Sequence, residues 1–598
     1  MSTLAGAARA AEPGAGDRQG RSWRPWAGVT AVAAVVLMYC YLRIAGTVPV
    51  LSDGAANALQ ARDMLHGNLL LHGWWVTDVS FLTTELPQYA LVIAAAGLRP
   101  EVVHICAAMS YTLLVLLAAY VARGRSTGVE AVVRALVALV IILAPEPGAA
   151  SWVLLSDPDH VGTGVPLLLL LLLLDRARAS RWVPAGAFAL LTWASVGDPL
   201  VEVVGALPLA VVCLARVALC LLRRRGTMRT LGYEASLAAA ALLSVLAAKA
   251  VGHLIPALGG YRINQGVTGL IPLGKVPANV PLVIRSVLAV FGADFQDAPT
   301  VGGRAINLAF AAVHLAGLAL VLAAVVAAAW GLFGSLVRLA RSRSRSGGPA
   351  DAGARTRADG RTLAAGLDGR ADGLALGDLV SDVIVVAIVV NVAAYLLAFR
   401  ISNIYSAHEI GPVLALGAAL AGRQLGGPLA RTCGLGSGTA DRTGATRGRL
   451  ARVAVLPGLV ALLACYGAML GFAAAQRQTP PANAALAVWL RQHELSSGLA
   501  GYWEASSVTL DSGDAITMGS IVSLPSDQLA PRHWEQDMRL YDPAGHTANF
   551  VVLAPDSPFT RKDAVRTFGR PADAYRFKSY TIMVWRKNLL PDLGPAIN

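Results

Sequence analysis

Long, nearly uncharged apolar runs recur through most of this chain, and most are of the ~17–25 residues that a helix needs to cross a bilayer. They fall near residues 26–45, 102–122, 130–145, 161–175, 182–197, 199–222, 231–255, 305–336, 379–399, 409–422 and 453–475. The apolar residues come in blocks rather than in helical stripes. Only 15% of the 598 residues are charged and 55% are hydrophobic, whereas a soluble domain carries about a quarter charged residues. An ordinary cytosolic enzyme, a disordered chain and a fibrous protein are therefore excluded. The pattern predicts an α-helical polytopic membrane protein with about 11 transmembrane helices. Two weaker runs, 86–98 and 279–293, are short and interrupted. They read as interfacial or re-entrant helices on one side.

Lys and Arg number 50 against 37 Asp and Glu, a net charge of +13. In a soluble chain that surplus suggests a nucleic-acid partner. Here the arginines cluster in short segments between apolar runs, so the charge reports topology, and no nucleic acid is expected. With the N-terminus inside, Arg123 and Arg125, then Arg176, Arg178 and Arg181, then Arg223–Arg225 and Arg229 all fall on the cytoplasmic face. So do two Arg-rich loops, 337–377 and 423–452. Residues 1–25 read as a disordered cytoplasmic N-terminus, and the first run reads as an uncleaved anchor in the cell membrane. The outer side receives 47–101, 146–160, 197–199, 256–304, 400–408 and 476–598. Six scattered cysteines show neither a disulfide framework nor zinc spacing.

The 26–475 region is the transmembrane domain; residues 476–598 have soluble composition. They alternate in strand fashion at "SSVTL", "AITMGSIVSL", "NFVVLA" and "YTIMVWRKNLL", after a helix-like "NAALAVWLRQHEL". This predicts a C-terminal α/β extracytoplasmic domain, folding on its own core and holding none of the candidate catalytic groups.

Polar groups collect on the outer segments. Asp53 follows the first span and precedes a helical "AANALQARDMLHG" that Gly67 closes. The second outer segment carries Asp157, Asp159 and His160, and the third Asp198. The fourth carries Arg262 and Lys275, the fifth Arg400, His408 and Glu409. Charges at a membrane edge are costly and mark function. Three chemistries suit them: a carboxylate acting as general base on a hydroxyl, carboxylates with His160 holding a divalent metal against a phosphate, or a proton or ion relay. Arg262, Lys275 and Arg400 suit a phosphate leaving group. Each residue also has a plain structural role open to it. Asp53, Asp157, Asp159 and Asp198 are placed to cap helices, and Arg400 to snorkel to the interface. No nucleotide-binding loop, nucleophile elbow, zinc-protease motif or Cys pair is present.

"SDGAANALQARDMLHGN", "TTELPQYALVIAAAGLRPEVVHICAAMSY" and "SDPDHVGTGVPLLLLLLLLDRARASRW" together resemble the layout of the GT-C superfamily of integral-membrane glycosyltransferases over residues 27–475. Many members carry Asp-Glu or Asp-Asp in the first loop; here Asp53 is followed by Gly54. The resemblance implies a polyprenyl-phosphate-linked sugar donor and an acceptor hydroxyl on a lipid, glycan or protein. Asp53, with Asp157 and Asp159, would be catalytic. His160, Asp198, Arg262, Lys275, Arg400, His408 and Glu409 would bind substrate or phosphate. No cofactor is certain; a divalent metal is an open expectation. The alternatives are a transporter or flippase of lipid-linked precursors and an inactive GT-C-like scaffold.

Overall fold

The computed structural model describes residues 24–177, 180–222, 228–264, 269–294, 303–345, 378–398, 403–432 and 445–597. Arg400 and most of the 337–377 loop lie outside them, as do residues 433–444 of the second Arg-rich loop. Among the described residues, nine helices are long and apolar enough to cross a membrane: Ala27–Ala45, Glu101–Arg123, Glu202–Leu222, Leu231–Ala257, Leu273–Val290, Arg304–Leu332, Leu379–Leu397, Ile404–Thr432 and Pro457–Ala474. A tenth arises if Ala149–Leu155 and Asp159–Arg176, bent by 71° at their junction, count as one span. The chain is a multi-pass membrane protein. Helices are what a bilayer demands, since they satisfy every backbone group within the segment.

The details differ from the sequence expectation in four places, one being the run 182–197, which forms a helix of only 16 residues, Trp182–Gly197. The run 161–175 belongs to the broken pair, because Pro158 and the acidic residues beside it interrupt the helix. The run 130–145 forms a helix of only 15 residues, Gly128–Ile142. The run 279–293 forms Val276–Val290, which with its preceding 3₁₀ turn is long enough to span. Asn279 Nδ2 of this helix donates to Leu396 O at 3.1 Å, and Ser286 lies 3.0 Å from the Tyr395 hydroxyl. The 86–98 run forms the short helix Glu85–Ala96.

The middle of the bundle is the helix Gly411–Thr432, buried along most of its length. It packs on Gly128–Ile142 and Glu101–Arg123. Glycine permits that approach: a Cβ at Gly426 would sit 2.7 Å from the Arg134 Cα.

The C-terminal domain holds a six-stranded mixed sheet in the order β5-β4-β3-β7-β9-β8. Its strands are β3 (Ser497–Ala500), β4 (Thr517–Ser523), β5 (Leu529–Pro531), β7 (Phe550–Leu553), β8 (Asp573–Phe577) and β9 (Tyr580–Val584). β3 runs parallel to β4 and β7, and the other pairings are antiparallel. One segment departs from the sequence expectation. "SSVTL" belongs to the helix Tyr502–Asp511, whose Ala505, Val508 and Leu510 are buried.

A second sheet, β2-β1-β6, joins the two parts of the molecule. β1 (Trp74–Val76) comes from the first loop, β2 (Arg262–Ile263) from the fourth, and β6 (Gln536–Asp537) from the C-terminal domain. Asp63 reinforces the joint. Its Oδ2 accepts from Trp74 Nε1 at 2.9 Å and pairs with Arg539 Nη2 at 2.6 Å. Arg62 pairs with Asp514 beside it.

Candidate active site between the bundle and the C-terminal domain

Asp53 stands in the first turn of the helix Ser52–Leu65. The N-cap is Leu51 and makes no side-chain capping bond. The Asp53 carboxyl instead accepts from the Tyr502 hydroxyl, which also lies 2.6 Å from Glu535 Oε2. Ser52 Oγ donates to Tyr502 O at 2.8 Å and holds the two helices together. A phenol has one proton to give, so both bonds require one of the two carboxyls to be protonated. Burial pushes the Asp53 carboxyl above its usual range, with the Tyr502 hydroxyl pulling it down and Asp159 adding to the rise. Burial and then the Asp53 charge raise Glu535 further. Burial and the two acids keep Tyr502 in its phenol form.

Asp157 approaches from the break between the bent helices. Gly54 makes room for it: a Cβ at Gly54 would lie 3.2 Å from the Asp157 Cβ. The second carboxyl that Asp53 lacks in sequence thus arrives through space. Asp159 and Glu535 both occupy the left-handed region, at φ 32° and 45°. Such backbone costs on the order of 1–3 kcal/mol at a non-glycine residue and is held only where packing enforces it.

His160 donates or accepts through Nδ1 to Asp198 Oδ2 at 2.8 Å. Asp198 is fully buried; it also accepts from Thr163 Oγ1 and, through Oδ1, from Leu200 N at 2.8 Å. It is therefore a helix cap and a histidine partner at once. His408, on the 3₁₀ turn Ile404–Ile410, places Nε2 3.4 Å from Asp159 Oδ2. Its ring stacks on that of His160 with centroids 5.5 Å apart. Glu409 lies in the same electrostatic neighbourhood. Among the described residues, Asp159, His160 and His408 form a group able to offer a metal three donor atoms. Glu85, buried beneath them, is pushed up to about 8 by burial, against the pull of its Thr84 hydrogen bond.

Asp53, Asp157, Asp159, His160, Asp198, His408 and Glu409 are thus brought to one end of the bundle. Arg262 and Lys275 are exposed, and neither pairs with these acids. Arg262 lies over the Trp75 ring at 5.8 Å, and Trp75 stacks on His533 at 3.9 Å. Arg400 lies outside the described residues. Sequence reasoning missed Tyr502, Glu535 and Arg532, whose guanidinium lies 5.6 Å from the Tyr502 ring. No spacing signal links residues some 450 positions from Asp53. The only hint was the acid and aromatic content of "GYWE" and "RHWE" between strands.

No family model matches the chain, and no curated protein matches it. The chain is similar to a solved structure of ArnT from Cupriavidus metallidurans bound to undecaprenyl phosphate. The identity is 15%, the match covers 96% of this chain and 99% of that one, and the TM-score is 0.46. The apo structure of the same enzyme gives 13% identity over the same shares, with a TM-score of 0.38.

Proposed function

We propose that the protein is a membrane glycosyltransferase that moves a sugar from a polyprenyl-phosphate donor to an acceptor hydroxyl on the extracytoplasmic side. The observation that carries the reading is Asp53. It is a half-buried carboxyl at one end of the bundle, unused as a cap, held by Tyr502 and in the field of Asp157, Asp159 and His408. A general base has that setting: a raised proton affinity and a fixed direction. The layout of the first loops, as read from sequence, supplies the donor class.

In the proposed reaction the acceptor oxygen attacks the anomeric carbon, and the bond from that carbon to the phosphate oxygen breaks. The acceptor proton passes to Asp53. Polyprenyl phosphate departs with its negative charge, towards Arg262, Lys275, Arg400 or Arg532. Tyr502 and Glu535 share the proton load with Asp53.

The test supplies purified protein in nanodiscs with a panel of polyprenyl-phosphate sugars and a membrane extract as acceptor. Released polyprenyl phosphate is the readout. Turnover by the wild type, lost in Asp53→Asn, is expected. Equal turnover in both would move the base to Asp157 or Asp159. Lipid-linked precursor crossing the bilayer without sugar release would replace the reading with a flippase.

A further inference from the structure

We propose that Asn57 and Gln60 bind sugar hydroxyls in a row that leads inward from Asp53. Both lie on the helix Ser52–Leu65, after Asp53 by one and by two helical turns. At about 3.6 residues per turn the three positions share one face, and at about 1.5 Å per residue the two amides stand roughly 6 and 10 Å along the axis from Asp53. Asp53 is half-buried and opens the row, whereas Asn57 is 3% exposed and Gln60 1%. Gln60 Oε1 has no hydrogen-bond partner among the described residues, and none of those residues bonds the Asn57 amide. The other polar side chains of this helix are all engaged. Ser52 donates to Tyr502 O, Asp53 accepts from the Tyr502 hydroxyl, Arg62 pairs with Asp514 and Asp63 with Arg539.

Native proteins bury few polar groups without a partner, because the group loses its water and gains nothing in return. The fold has no need of amides here: Ala55, Ala56, Ala58 and Ala61 of the same helix are buried as plain alanines. Two orphaned amides on the face of Asp53 therefore point to a ligand. A carboxamide offers N–H donors and an acceptor oxygen without net charge, and a hydroxyl both donates and accepts, so the pair suits a polyhydroxyl ligand. A phosphate is a poor occupant. This helix face carries no cation, since Arg62 is turned to Asp514, and the carboxyls of Asp53 and Glu535 stand at the mouth of the row. A hydrocarbon chain would leave both amides unpaired. Sugar hydroxyls reach Asp53 from two sources in the proposed reaction, the donor's sugar and a glycan acceptor, and the row has the chemistry for either. That the sugar is a substrate rests on the glycosyltransferase reading; that the row binds sugar hydroxyls does not.

The competing arrangement is a pair of amides bridged by ordered water, with a structural role alone. The test uses the full-length protein in nanodiscs and two sets of probes: soluble di- and trisaccharides of pentoses and hexoses, and the panel of polyprenyl-phosphate sugars. Binding is measured by calorimetry, with thermal melting alongside. Asn57→Leu and Gln60→Met nearly keep the side-chain volume and remove the amide. The wild type is expected to bind at least one probe, and each variant to bind it about 3–10-fold more weakly, the loss typical of a neutral hydrogen bond. Melting temperatures should hold or rise, because an apolar group replaces an unpaired buried amide. Weakening confined to the soluble glycans assigns the row to the acceptor, and weakening confined to the lipid-linked sugars assigns it to the donor. A wild type that binds no probe overturns the proposal. So does binding undiminished in both variants; lower melting in that case marks the water-bridged arrangement. Binding that depends on the row, without release of polyprenyl phosphate, removes the glycosyltransferase reading and leaves this proposal standing. Release with unchanged affinities in both variants does the opposite.

Discussion

The two ends of the helical bundle use the same residue types in opposite ways. At the far end Arg423 is buried, with Nη2 2.9 Å from Asp175 Oδ1 and 2.7 Å from Asp378 Oδ2, and Nη1 donating to Val121 O at 2.8 Å. Arg216 likewise pairs with Glu234 at 3.1 Å and Asp382 at 3.0 Å. Each cation there ties together helices that are distant in sequence. At the site end Asp53, Asp157, Asp159 and Glu535 crowd together, and no arginine or lysine pairs with any of them among the described residues. Acids tied by a shared arginine at one end make a clamp. Acids crowded on one another at the other end are groups that take a proton or a substrate. The same contrast weakens the transporter reading, because the charges of Arg216, Glu234 and Asp382 satisfy one another.

The largest effect expected from this contrast is at the clamp. Arg423→Ala leaves Asp175 and Asp378 without their common cation, and breaking a buried ion pair from one side costs about 3–5 kcal/mol. A fall of several degrees in the melting temperature in detergent is expected. An unchanged melting temperature would make the far-end network ornamental and dissolve the comparison.

Asp53→Asn should do the reverse. It removes one charge from a crowded set, so the melting temperature should hold or rise slightly. Turnover should fall at least ~10²-fold, the loss typical of a missing general base. A variant that loses stability and keeps activity would assign Asp53 to the fold.

The spans and the sidedness of the polar groups were legible in the sequence because bilayer length and apolar composition act locally. So were β4, β7 and β9, through their alternation. The Tyr502–Asp511 helix was misread because five residues of "SSVTL" look alike in either state. What was hidden is contact across sequence. Glu535 meets the neighbourhood of Asp53 only because β6 pairs with β1, Trp74 opposite Asp537. Asp63 and Arg62, on the helix of the first loop, both bind the C-terminal domain. That domain therefore adds Tyr502 and Glu535 to the candidate site, where none of its groups was expected.

A smaller effect is expected at Glu85. Its carboxyl is shifted from 4.5 to about 8 by burial, so between those values the folded state holds a proton that the unfolded chain has released. Its contribution is complete below about pH 4.5 and is lost as the pH rises through 8. Glu85→Gln should flatten the pH dependence of melting between about pH 4.5 and 8. Melting of the variant that falls as steeply as the wild type would place the titrating group elsewhere.

The smallest expected effect separates a role at the site from a role in the joint. Tyr502 donates to Asp53, and that bond lowers the proton affinity of a carboxyl that burial raises. Tyr502→Phe keeps the ring and its packing but removes the donor. The charged form of Asp53 is then disfavoured, and its proton affinity rises further. A base must be ionised to act, so the acid limb of the pH–rate profile should move to higher pH by up to about one unit. Turnover on the acid limb should drop up to ~10-fold and recover as the pH is raised. A hydroxyl that only holds the two parts of the molecule together predicts something else. Melting would fall, and activity would drop by the same factor at every pH. A profile shifted sideways with melting preserved places Tyr502 with the crowded end of the molecule; a profile shifted only downward places it with the clamps.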